Sequence, residues 1–82
     1  MVTVRFFGLL RSQHQIQELF IKAKNMRDVI LYIKTHYPSI SHQELQTAVL
    51  FVNQQKTMHM KRFEMPLNDG DLVVFTTYVG GG

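Results

Sequence analysis

The sequence has no cysteine at all. Without thiols there can be no disulfide, no thiolate metal centre and no cysteine nucleophile, a composition suited to the reducing cytoplasm where the protein is expected to work. Long apolar runs are missing too: the longest span only a few residues, against the roughly 20 that a membrane-crossing helix needs. The opening Met1-Val2-Thr3-Val4-Arg5 has a strand pattern in place of a signal peptide, so no membrane association is expected. Concentrated positive charge is also lacking. Nine basic against six acidic residues give a net charge of +3, but Arg5, Arg11, Lys22, Lys24, Arg27, Lys34, Lys56, Lys61 and Arg62 are scattered, with no run longer than two. A nucleic-acid reader needs a stripe, and scattered cations form a solvated face; no nucleic-acid partner is expected, whereas an acidic protein partner fits.

What is present is enough for one small domain. Eighty-two residues with a hydrophobic fraction of 45% describe a globular chain. A domain of this size buries about 60–65% of its unfolded surface, near the lower limit for independent stability.

Residues 2–7 alternate Val2, Val4 and Phe6 with Thr3, Arg5 and Phe7, which predicts a strand with Phe7 on the otherwise polar face. Gly8 to Gln15 reads as a turn or loop. A second strand is expected at 16–22, anchored by Ile16, Leu19 and Ile21, with a bulge where the alternation slips near Glu18. Asn25 is placed to cap a helix whose stripe is Met26, Val29, Ile30, Ile33 and Tyr37, and Pro38 ends it. Ser41 with Glu44 three residues on predicts a capped short turn. The continuous apolar run 48–52 predicts a strand buried on both faces, and Asn53-Gln54-Gln55 a tight turn in which Asn tolerates the left-handed conformation. Residues 56–62 read as a short edge strand or loop. Pro66-Leu67-Asn68-Asp69-Gly70-Asp71 is the clearest turn, leading into a final strand at 72–78. These elements predict an α+β fold, the ubiquitin-like β-grasp: a mixed sheet with one main helix packed on one face and the first strand parallel to the last. Residues 1–78 would form the domain and 79–82 a flexible C-terminal glycine tail.

No interior constellation suggests catalysis. His14, His36, His42 and His59 share no metal-ligand spacing and read as surface residues, so no metal site is expected. Asp69 and Asp71 lack the further ligands of a calcium loop. Ser12, Ser39 and Ser41 have no evident base and orienter, and Glu18, Glu44 and Glu64 fall in separate segments. Gly80-Gly81-Gly82 is followed by neither helix nor lysine, so it is not a phosphate loop. Attention passes to the terminal glycines, a bare and mobile stretch that either displays the Gly82 carboxylate or merely frays.

Along its whole length the chain resembles the small sulfur-carrier proteins of the ubiquitin-like superfamily, most of all the small subunit of molybdopterin synthase. The likeness rests on Val2-Thr3-Val4-Arg5-Phe6-Phe7-Gly8, Phe51-Val52-Asn53, Pro66 to Phe75 and the closing Gly81-Gly82. Three features differ: Thr76-Thr77-Tyr78 stands where proline is often found, Gly80 adds a third glycine, and the net charge is positive. The resemblance implies a non-catalytic sulfur-donor subunit acting within a molybdopterin synthase complex. An adenylating partner enzyme would use ATP, no cofactor being bound by the chain itself, to activate the Gly82 carboxylate. A sulfur donor protein would then displace AMP to leave a thiocarboxylate, and a large synthase subunit would receive it. Gly80 and Gly81 would let the tail thread a narrow channel, about six extended residues reaching roughly 20 Å. Phe7 and Phe75, with Tyr78 and Val79, would meet the partner, while core packing is the competing role for Phe7 and Phe75. A thiamine-type sulfur carrier, a ubiquitin-like modifier joined through Gly82, and a non-covalent β-grasp binding module are the alternatives.

Overall fold

The computed structural model describes residues 1–57 and 62–77. Strand β1 (Val2–Phe7) is followed by helix α1 (Gly8–His14), strand β2 (Glu18–Ile21), helix α2 (Met26–His36) and helix α3 (His42–Thr47). Strands β3 (Val49–Val52) and β4 (Gln55–Thr57), a 3-10 turn (Arg62–Glu64) and strand β5 (Leu72–Thr76) complete the described elements. The sheet runs β2-β1-β5-β3-β4, with β1 and β5 parallel at its centre and every other pair antiparallel. This is the expected α+β ubiquitin-like β-grasp.

Period-2 alternation sends Val2, Val4 and Phe6 of β1 and Val73 and Phe75 of β5 to one face, all fully buried. Helix α2 lies across that face through Met26, Val29, Ile30 and Ile33. Its first turn is held as the sequence predicts: the Asn25 carboxamide oxygen accepts from the Asp28 N–H at 2.9 Å. Ser41 and Glu44 form a reciprocal capping box at the start of α3, 3.0 and 2.9 Å. Asn53 and Gln54 take φ of 50° and 70°, closing β3 onto β4 with two residues.

Several expectations need correction. Residues 8–14 are helical and not a loop; a seven-residue helix with Leu10 as its one buried residue is too short to display a 3.6-residue period. The β1–β2 ladder has no bulge: pairing is regular from Val2–Ile21 to Arg5–Glu18, and the Phe6 N–H continues it to the Gln17 oxygen at 3.0 Å. The slip lies before the strand, where buried Ile16 interrupts the alternation. Strand β3 is buried on one face only, since Val49 and Phe51 are half-exposed on the other. Strand β5 ends at Thr76, and Tyr78 lies outside the described residues.

Candidate functional site

Because β1 and β5 are parallel, both finish at the same end of the sheet, Phe7 opposite Thr76. The chain therefore leaves β5 beside the start of α1. Gly8 has φ of +67°, and a Cβ there would collide with the Thr77 hydroxyl oxygen. The next residue completes the seat: the Leu9 N–H donates to Thr77 Oγ1 at 3.0 Å. Beside it lies a cleft of about 250 Å³ lined by Leu9, Leu10, Glu44, Thr47, Ala48 and Thr77. Leu9, 57% exposed, lines the cleft, and Phe7, 42% exposed, lies at the end of β1 on the open sheet face. The position of Thr77, the last described residue, is thus set by one glycine and one backbone N–H.

The sheet face turned away from α2 adds a half-apolar surface. Register places Glu18, Arg5, Val74, Phe51 and Lys56 in one row across it, with Phe7, Thr76 and Val49 in the row nearest the exit. Arg5 Nε donates to Glu18 Oε2 at 2.6 Å, so this row carries a neutralised ion pair at one side and the exposed Lys56 at the other.

The residues singled out in the sequence separate clearly. Phe7 is exposed on the open face beside the exit, as a partner contact requires. Phe75 is not: it is fully buried and stacks on Phe6 with ring centroids 5.6 Å apart, so it is a core residue. Tyr78, Val79, Gly80, Gly81 and Gly82 lie outside the described residues. Gly8, Leu9 and Thr77 were missed. The available signal was a glycine at the end of a strand, which reads as a generic turn unless its close neighbour is known.

A second cluster also escaped sequence reading. His14 bridges two partners from another part of the chain, its Nδ1 3.0 Å from Ser39 Oγ and its Nε2 2.9 Å from Glu44 Oε2. Its side chain is only 10% exposed, which corrects the expectation of a surface histidine. The serine–histidine–carboxylate order resembles a hydrolase relay, but Glu44 also caps α3 through Ser41, and neither Ser39 nor His14 lines the cleft by Thr77. The cluster is a bolt between α1 and α3. The hydrogen bond from His14, followed by the one from Ser41, holds the Glu44 carboxyl below its ordinary value. Among the described residues no group of three potential ligands is arranged around a metal position. No described helix is long and apolar enough to cross a membrane.

Solved structures share this small mixed β-grasp sheet. The small archaeal modifier protein 1 from Methanosarcina acetivorans superposes with a TM-score of 0.80 at 22% identity, covering 99% of this chain and 95% of that one. Subunit 1 or 2 in the complex of the molybdopterin-converting factor from Helicobacter pylori matches at 0.71 and 25% identity, covering 99% and 97%. A chain of the Amycolatopsis orientalis BexX/CysO complex matches at 0.77 and 21% identity over the full length of both. No curated protein sequence matches the chain. The ThiS family model matches residues 4–82, and the chain belongs to the ThiS family of ubiquitin-like sulfur carriers and modifiers.

Proposed function

We propose that this protein is a sulfur carrier whose Gly82 carboxylate is adenylated by a partner enzyme and converted to a thiocarboxylate. The observation that carries the reading is the family match extending through residue 82, so that the terminal glycines belong to the shared pattern. In the activation step a carboxylate oxygen attacks the α-phosphorus of ATP and pyrophosphate leaves. The acyl adenylate so formed is an electrophile, and hydrosulfide released by a sulfur donor protein attacks its carbonyl carbon and displaces AMP, leaving the thiocarboxylate. In this reading the domain is the handle a partner grips, and the Gly8 and Leu9 contacts fix the chain at Thr77, five residues before Gly82.

The acceptor we propose is a pterin precursor held by a large synthase subunit, the pathway of molybdenum cofactor synthesis. Supporting this is the likeness, at 25% identity, to a chain in the two-subunit molybdopterin-converting factor complex. Phe7, Leu9 and the open sheet face form the surface through which the activating enzyme and the synthase subunit grip the domain.

Incubation with an activating enzyme, ATP and a sulfur source is expected to add about 16 Da at Gly82, oxygen exchanged for sulfur. No adduct, together with unimpaired function after removal of Gly81-Gly82, would sink the reading. Transfer of the sulfur to a thiazole synthase and not to a molybdopterin synthase large subunit would keep the carrier chemistry and replace the pathway. Gly82 joined to lysine in cell extracts would move the protein to the modifier class.

A further inference from the structure

The exposed large apolar side chains fall into two groups. Phe7 and Leu9 flank the exit of the C-terminal strand, whereas Phe20 (59%) and Leu31 (64%), with Met1, stand at the opposite pole. Nothing in the proposed carrier chemistry uses the second group. Between α2 and the end of β2 runs a groove of about 730 Å³, whose walls include Ile21, Lys22, Lys24, Leu31 and Tyr32. It is roomier than the clefts of about 600, 390 and 250 Å³ elsewhere on the described residues.

Beside the groove, β2 forms the outer edge of the sheet. Gln17 accepts from the Phe6 N–H, so the alternating antiparallel pattern turns Leu19 and Ile21 toward β1 as well. The N–H and C=O groups of Glu18 and Phe20 therefore point away from the sheet, a template for one more strand. An added strand would set alternate side chains against Leu31 and Tyr32 on the helix side and against Phe20 on the other. The charges select among strands. Asp28 is occupied in accepting the Lys24 N–H at 3.0 Å, and Asp69 pairs with the amino terminus. Lys22 and Lys24, both exposed, have no acidic partner among the described residues.

We propose that the β2–α2 groove docks an extended peptide segment of a partner protein, alternating in apolar residues and followed by an acidic stretch, as an added strand on β2. Val2, which pairs with Ile21, lies five residues along β1 from Phe7, about 17 Å at the strand rise. The peptide and the partner that handles Gly82 would therefore bind together, at opposite ends of one sheet. The site would let a second protein recruit the carrier without covering its reactive terminus, and it does not depend on the chemistry at Gly82.

The test is a titration of the isotope-labelled full chain, followed by amide shifts and hydrogen exchange. The probe is a capped nine-residue peptide of three valine–threonine repeats followed by three glutamates. Binding should shift the Glu18 and Phe20 amides, slow their exchange, and leave Phe51 and Val74 unchanged. Reversing the groove charge with Lys22→Glu and Lys24→Glu should weaken binding about tenfold, and the same peptide ending in three lysines should bind the native chain about tenfold more weakly than the glutamate peptide. Leu31→Asp should abolish binding, and because Leu31 is exposed its melting curve should stay near native, separating lost docking from lost folding. Three results would each overturn the proposal: no shifts at millimolar peptide, shifts centred on Phe7 and Val74, or binding indifferent to peptide charge. Concentration-dependent self-association through β2 would also overturn it, by assigning the edge to a second copy of the chain.

Discussion

Gly8 is the residue on which most depends. Its positive φ favours glycine, and the Thr77 hydroxyl occupies the space a Cβ would need. Replacing it by alanine should destabilise the domain by about 1–3 kcal/mol in urea unfolding and displace Thr77 from the Leu9 N–H, seen as lost exchange protection at Leu9. Glu44 works differently. Its folded-state pKa is lowered from the ordinary 4.5, so its contribution is present above that value and is lost as pH falls through the folded value. The urea midpoint should therefore drop on acidification from about pH 6 to about pH 3 more in the native chain than in Glu44→Gln. Neither residue's role could be read along the chain, because Thr77 is 68 residues from Leu9 and His14 is 30 from Glu44. Asn25 and Ser41 were readable, since each caps a helix within three residues of itself.

At the scale of elements, local signals were decisive where the element is long or its cap is near. Helix α2 spans eleven residues and repeats its apolar stripe often enough to be unmistakable, and Asn25→Ala should cost it about 1 kcal/mol in thermal unfolding. Helix α1 has no side-chain cap and a single buried residue; Leu10 and the His14 bridge to α3 hold it in place. The 3-10 turn at 62–64 is likewise a tertiary product. Arg62 donates to the Leu45 and Gln46 carbonyls, 3.1 and 2.5 Å, at the end of α3, where a cation suits the helix dipole. Burial pushes the Arg62 guanidinium pKa down from its ordinary value. Arg62→Ala should therefore lower stability by about 2 kcal/mol in urea unfolding, and lysine, a point charge in place of a fork, should recover only part of it.

Across the whole molecule, one face of the sheet is buried under α2 and the other is left open. Phe75→Ala, opening a cavity beside Phe6, should cost about 3–5 kcal/mol and leave so small a domain largely unfolded by circular dichroism. Phe7→Ala, one strand away on the open face, should leave the melting curve within about 0.5 kcal/mol of native. It should still weaken binding of the activating enzyme by about 1–2 kcal/mol in calorimetry. Two phenylalanines of equal hydrophobicity thus meet opposite environments, because Phe75 pairs with Phe6 on the buried face and Phe7, the next residue of β1, turns to the open one.

By itself the sequence determined the order of the strands and of α2 among them, the central parallel pair, the α2 cap, turns within 53–55 and 66–71, and the resemblance that points to the terminal glycines. These rest on period, propensity and side-chain reach over a few residues, all written along the chain. The tertiary structure alone decided which phenylalanine is exposed, where Thr77 is held, how His14 locks α1 to α3, and that, among the described residues, β2 is an edge strand with two lysines beside it that meet no acidic partner. Those features come from contacts between residues far apart in sequence, which exist only once hydrophobic burial has closed the sheet around its core.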